Sequence, residues 1–168
     1  MPDLSLRAAT PDDAAAVAAI WNPIIRDTVI TFNPVERSPA EIAAMIVARQ
    51  ADGHAFLVAT AGPQVIGFAS YAQFRGGAGY ARCMEHTINL SPDARGRGAG
   101  RVLLAALEHH ATTAAHNVMV AAVTGSNLGS IAFHAALGYA QVGRMPQVGW
   151  KFGVYHDLVL MQKMLGPE

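Results

Sequence analysis

The stretch "SPDARGRGAGRVLLAALEHHA", residues 91–111, sets three glycines and three arginines directly before an apolar helical repeat. Glycine admits backbone angles closed to other residues and lets a ligand approach the main chain. At a helix start, unpaired N–H groups and the positive end of the dipole receive anions. Together these features describe a diphosphate cradle, to which Arg95, Arg97 and Arg101 add charge. Two common phosphate motifs do not fit. A dinucleotide fingerprint begun at Gly96 and Gly98 needs glycine at 101, where Arg101 stands, and no Gly-Lys-Ser/Thr follows to make a P-loop. What fits is Arg-x-x-Gly-x-Gly, formed by Arg95, Gly98 and Gly100. The bland alternative is a glycine-rich helix start with exposed arginines.

Working outward, "CMEHTINL" (83–90) reads as the strand that delivers the chain into this loop, and a helix runs from about Gly98 to Ala115. Upstream, "LSLRA" is a first strand. Thr10, Pro11 and the acids Asp12 and Asp13 then start a helix whose apolar face is Val17, Ile20, Trp21, Ile24 and Ile25. Pro23 is expected to end or kink it near Asn22. Ser38 and Glu41 form a capping box for a second helix. "AFLVAT" and "QVIGFASYAQF" are strands joined by "AGPQ", and "GGAG" at 76–79 is a loop tip. Downstream, "NVMVAAV" suits a central strand, and "SNLGSIAFHAAL" is a short helix capped by Ser126 and stopped by Gly138. "YAQVGRM" and "YHDLVLMQKML" are the closing strands. The order β-α-α-β-β-β-α-β-α-β-β predicts one α/β domain over residues 1–168, a mixed sheet with helices on its faces.

Composition narrows the function classes. Hydrophobic residues are 52% and charged residues 14%, a globular balance. Lys plus Arg and Asp plus Glu number 12 each, so no overall field favours nucleic acid and an anion site must be local. The lone Cys83 has no disulfide partner in the chain, which points to a reducing, cytoplasmic setting. No run is long and apolar enough to suggest a membrane span or leader. His109 and His110 are adjacent on a helix and point apart, and no metal-binding spacing occurs, so no metal is expected.

The loop, with "MEHTINLSPDARGRG" before it and "SNLGSIAFHAALGY" after it, resembles the coenzyme A site of the GNAT family of N-acetyltransferases. "MPQVGWKFGVYHDLVLMQ" (145–162) is similar to the branch that acetylates phosphinothricin, methionine sulfone and methionine sulfoximine. The resemblance covers nearly the whole chain. It implies the GNAT fold, a mostly antiparallel sheet splayed between strands 4 and 5 with helices on both faces. It also implies acetyl-CoA as cosubstrate, a small-molecule amine as acceptor and a homodimer.

The resemblance further assigns positions. Glu85 would be the base that removes the amine proton through water; its alternative is an exposed sheet-face carboxylate. Alternation along a strand lets only one of Glu85 and His86 face a given side. Ile88, Asn89 and Leu90 would offer main-chain groups to the pantetheine arm, with the Leu90 N–H polarising the acetyl carbonyl. Arg95, Gly96, Arg97, Gly98, Ala99 and Gly100 would hold the diphosphate. Asn127 would reach the pantetheine arm or simply cap its helix. His134 stands where many relatives carry a thiolate-protonating Tyr; it would donate that proton or be a packed structural imidazole. Gln73, Phe74 and Arg75 would line the acceptor pocket beside Glu85, with Arg75 taking an anionic oxygen or standing exposed at a strand end; Lys151 and Phe152 would complete the pocket, within one protomer or across a dimer interface. Phe74 replaces a common Trp, and Ala136 a Ser found in some members. Cys83 is a structural thiol. Two other functions fit the same residues: acetylation of another amine, such as a protein N-terminus or polyamine, and a non-catalytic acyl-CoA sensor that could dispense with Glu85.

Overall fold

Capping residues set where the chain leaves the sheet. The Ser38 hydroxyl receives the Glu41 N–H at 3.2 Å, and Glu41 accepts the Ser38 N–H at 2.7 Å. This reciprocal cap starts α2 (Pro39–Ala51). Asp13 plays the same part before α1 (Ala14–Asp27). Its carboxylate accepts the Thr10 N–H at 2.8 Å and both ends of the Arg7 guanidinium at 2.7 and 2.8 Å. Pro23 does not end α1, which continues to Asp27. Proline removes one hydrogen bond from the helix. Burial of Trp21, Ile24 and Ile25 on either side of it outweighs that loss, with the Trp21 ring 4.9 Å from that of Phe68.

The computed structural model describes residues 4–166. Seven strands form one sheet: β1 (Leu4–Ala8), β2 (Phe56–Ala61), β3 (Gln64–Gln73), β4 (Cys83–Leu90), β5 (Val118–Thr124), β6 (Ala140–Lys151) and β7 (Val154–Met164). Their spatial order is β1-β2-β3-β4-β5-β7-β6, and the β4–β5 pair alone is parallel. One face packs on α1 and α2 through Val17, Trp21, Ile42, Ile46, Phe56 and Phe68. The other packs on α3 (Ala99–Thr113) through Leu103, Leu104 and Leu107 against Tyr71, Met84, Met119 and Met161. The last helix, α4 (Leu128–Ala136), starts at Asn127, not Ser126: the Asn127 carboxamide oxygen accepts the Ser130 N–H at 3.1 Å. β6 runs past the expected end at Met145 to Lys151, its register broken between Met145 and Gly149. These irregularities hid the strand from a search for alternation.

β4 pairs with β5 only at Cys83, Met84 and Glu85. Beyond Glu85 the two strands part, and the sheet opens into a wedge.

Candidate active site

The register of β4 decides what faces the wedge. The Phe74 N–H donates to Cys83 O at 2.9 Å, and the Ser91 N–H donates to Ile66 O at 2.8 Å. In an antiparallel ladder the hydrogen-bonded residues alternate. Odd-numbered residues of β4 therefore turn their main-chain groups toward β3, while His86, Ile88 and Leu90 turn theirs toward the parted β5. The N–H and C=O groups of Ile88 and Leu90 are free edges for an extended ligand. Asn89 differs from the expectation: its main chain faces β3, and only its side chain serves the cleft.

At the outer end of the wedge, Gly96 (φ +71°) and Gly98 (φ +84°) hold the left-handed backbone that glycine alone takes without strain. A side chain on Gly100 would press on Leu90 and Phe133 at 3.4 Å, so this glycine lets α3 begin close to β4. The Arg95 N–H bonds Pro92 O and the Val102 N–H bonds Gly98 O. Among the described residues, the amides of 96 to 101 between them find no acceptor. Six adjacent unpaired donors at a helix start suit a diphosphate. The groove along Leu90, Arg95, Gly96, Gly98, Gly100 and Arg101 has a volume of about 660 Å³. Arg97 and Ala99 line instead a separate groove of about 210 Å³ beside Leu4 and Gln64.

The groove runs into a second cleft of about 390 Å³, and both are lined by Ile30, Ile88, Asn89, Asn127, Ser130 and His134. Glu85 lines the inner cleft, paired across the ladder with Ala72 and facing α1 and α2. Burial pushes its carboxyl above the usual carboxylate range, and the Arg49 guanidinium partly opposes this. His86 pairs with Tyr71 and faces the opposite side, as strand alternation demands. Both residues nevertheless line one cleft, because the wedge opens the sheet from face to face.

Hydrogen bonds assign the tautomers of the two buried imidazoles. His134 Nδ1 lies 2.7 Å from Ser130 O, which can only accept, so Nδ1 carries the proton. His134 Nε2 then offers a lone pair to His86 Nε2 at 3.2 Å, and His86 donates. That leaves His86 Nδ1 as a bare lone pair, and it is indeed buried without a partner. Burial lowers the pKa of both rings, that of His86 to about 3. His134 therefore borders the cleft as a neutral ring with its one N–H committed to Ser130. This geometry leaves it no free proton to hand to a leaving thiolate and favours, of the two roles the sequence left open, the packed structural imidazole.

The residues expected at the acceptor pocket beside Glu85 lie apart from the inner cleft. Gln73 pairs with Met84 and so lies on the face opposite Glu85. Its amide is spent on Arg75 O and Gly77 O at 2.7 and 2.8 Å. Phe74 shares the Glu85 face but is exposed beyond the cleft, and Arg75 lies over the Tyr80 ring at 5.4 Å. The Lys151 ammonium is buried among main-chain carbonyls, and Phe152 stands exposed in the β6–β7 turn. The inner cleft is instead roofed by Ile30, Thr31, Phe32 and Asn33 and walled by Trp21 and Thr124. Sequence reasoning passed over these roof residues, because "ITFN" carries neither period nor motif. Its sole signal is apolar side chains between two capped helices.

Among the described residues no cluster of His, Cys, Asp or Glu is placed to hold a metal ion, and no helix is long and apolar enough to cross a membrane. Cys83 is partly buried, and burial raises its thiol pKa.

Comparison with known proteins agrees with this geometry. The chain is 38% identical over 164 residues to the L-methionine sulfoximine/L-methionine sulfone acetyltransferase of Pseudomonas paraeruginosa, covering 97% of this chain and 95% of that one. The yncA protein of Salmonella typhimurium, solved with its cofactor acetyl-CoA, superposes with a TM-score of 0.95 at 34% identity, covering 99% of this chain and 96% of the other. A phosphinothricin acetyltransferase from Sinorhizobium meliloti in complex with acetyl-CoA gives 0.93 at 34% identity, covering 99% and 90%. The family model described as "Acetyltransferase (GNAT) family" matches residues 21–139, a span that holds the parted strands, the glycine loop and Glu85. The chain belongs to the GNAT acetyltransferase family.

Proposed function

We propose that the protein transfers the acetyl group of acetyl-CoA to the α-amine of a small amino-acid analogue of the methionine sulfoximine, methionine sulfone or phosphinothricin type. The observation that carries this reading is one continuous groove. It leads from the unpaired amides of 96 to 101, along the free edge of Ile88 and Leu90, to the Glu85 carboxyl. Coenzyme A has the matching sequence of groups: a diphosphate, an amide-bearing arm and a thioester.

Each residue then has a task. The amides of Gly96, Gly98 and Gly100, with Arg95 and Arg101, hold the diphosphate. The amides of Arg97 and Ala99 belong to the same run of unpaired donors, while both residues also border the groove beside Leu4 and Gln64. Ile88 and Leu90 align the arm, and the Leu90 N–H polarises the acetyl carbonyl. Asn127 caps α4 and presents its free amide hydrogens to the arm. Glu85 takes the proton of the bound ammonium through a water and releases a neutral amine beside the thioester. A thiol has a pKa of about 8.5, so the coenzyme thiolate leaves without a proton from His134. The volume of the inner cleft, about 390 Å³, supports a small acceptor over a peptide chain.

On the last hairpin Val148, Trp150, Phe152, Val154 and Tyr155 are each at least half exposed. So exposed and apolar a hairpin supports a homodimer, and the lone cysteine supports a cytoplasmic enzyme. The test is thiol release from acetyl-CoA with methionine sulfone, methionine sulfoximine, phosphinothricin, ordinary amino acids, polyamines and short peptides. Response to the first three supports the proposal. Response to peptides alone overturns the small-acceptor reading, and binding without turnover would leave a sensor.

A further inference from the structure

We infer that Lys151 is a positioning residue: its ammonium holds the loop between α1 and α2 as the roof of the acceptor cleft. The inference rests on reading that cleft as the acceptor site. Lys151 is 4% exposed, and no carboxylate is within ion-pair distance among the described residues. Its Nζ donates instead to Ile25 O at 2.5 Å, Thr28 O at 2.7 Å, Thr31 O at 2.8 Å and Asn33 O at 3.3 Å.

The first of these carbonyls belongs to the last turn of α1, where acceptors lack helical partners and the dipole end is negative. The others belong to the loop, which has no secondary structure of its own. One cation from a strand distant in sequence thus gathers carbonyls that would otherwise be buried unpaired or turn out to water. An ammonium has three protons, so the four carbonyls saturate it. None is left for an acceptor.

Neighbouring contacts hold the loop in the same place. The Thr124 hydroxyl donates to Val29 O. Phe32 stacks on His156 at 5.8 Å, and His156 Nε2 donates to Lys151 O at 3.0 Å. Gly149 lies so close under Phe32 that a Cβ there would sit 2.5 Å from the ring. The end of β6 is therefore a clamp, and what it clamps is Thr31, Phe32 and Asn33 over Glu85.

The experiment combines hydrogen exchange on the free protein with steady-state kinetics of Lys151→Met, Lys151→Arg and Gly149→Ala. In Lys151→Met, amides of the 28–33 loop should exchange faster while those of α3 keep their protection. The acceptor KM should rise about tenfold or more with kcat within about threefold. Lys151→Arg should recover part of the KM, since a guanidinium restores donors. Gly149→Ala, which displaces Phe32 without touching the ammonium, should raise KM in the same direction and decides the matter if Lys151→Met does not fold. Unchanged exchange in the loop overturns the inference. So does a KM rise confined to acceptors bearing a carboxylate, which would mean that the ammonium contacts the acceptor itself. Exchange is read without acceptor or turnover, so failure of the proposed activity and failure of the clamp give separate results.

Discussion

Replacing Glu85 by Gln keeps the side chain's size and removes its charge, which isolates the proton-transfer step. An α-amine with a pKa of about 8 is roughly one-tenth neutral at pH 7 and nine-tenths neutral at pH 9. An enzyme without its base must wait for that neutral fraction. The variant should therefore lose at least about tenfold in kcat/KM at pH 7, and more if proton transfer is concerted with attack. Most of the deficit should vanish by about pH 9. The wild type should lose activity as pH falls through the Glu85 pKa. Burial raises that pKa, so the acid limb should lie above the range of an exposed glutamate. The variant should lack this limb. The assay is initial-rate thiol release across pH, with calorimetry on coenzyme A to confirm that the diphosphate site is intact. A deficit of constant size at every pH, or no deficit, would refute the assignment of Glu85 as base.

Three further outcomes follow from the geometry. Gly98→Ala meets no atom within 4 Å, so its cost is the left-handed backbone alone, about 1 kcal/mol; coenzyme affinity should fall about fivefold by calorimetry, whereas Gly53→Ala, equally open at φ +77° but away from the groove, should leave it unchanged. His134 has no free N–H, so the pH profile of kcat should show no falling limb between about pH 6 and 8; a limb there that disappears in His134→Phe would restore the proton-donor role. Asp13 is held at about 2, against 3.8 for the free residue, first by the Arg7 hydrogen bonds. A depressed carboxyl stabilises the fold above its unfolded pKa and loses that contribution as pH falls toward the folded one. The full linkage is about 2.4 kcal/mol, reduced to about 1–2 because the Arg7 side chain is 48% exposed and screened. Asp13→Asn should cost that much in urea unfolding at pH 7, and the cost should shrink between about pH 4 and 2.

Features whose partners lie within a few residues could be read directly from the chain. The strand at 83–90, the glycine loop and the helix after it follow from local backbone rules and apolar spacing, and so does the Ser38–Glu41 cap. The run of unpaired amides at 96 to 101 was legible for the same reason, since consecutive residues build it. The make-up of the inner cleft depends on contacts between residues far apart in the chain. Lys151 meets carbonyls 118 to 126 residues away, and Gln73 takes the wrong face because the β3–β4 register, not its place beside Phe74, sets its direction. Pro23 stays inside α1 because packing on Phe68 outweighs one missing hydrogen bond. His134 likewise bears a type that suggests a proton donor, yet Ser130 and His86 fix which nitrogen holds the proton. A side chain's chemistry is written in its identity, but its free donors are what distant neighbours leave unclaimed.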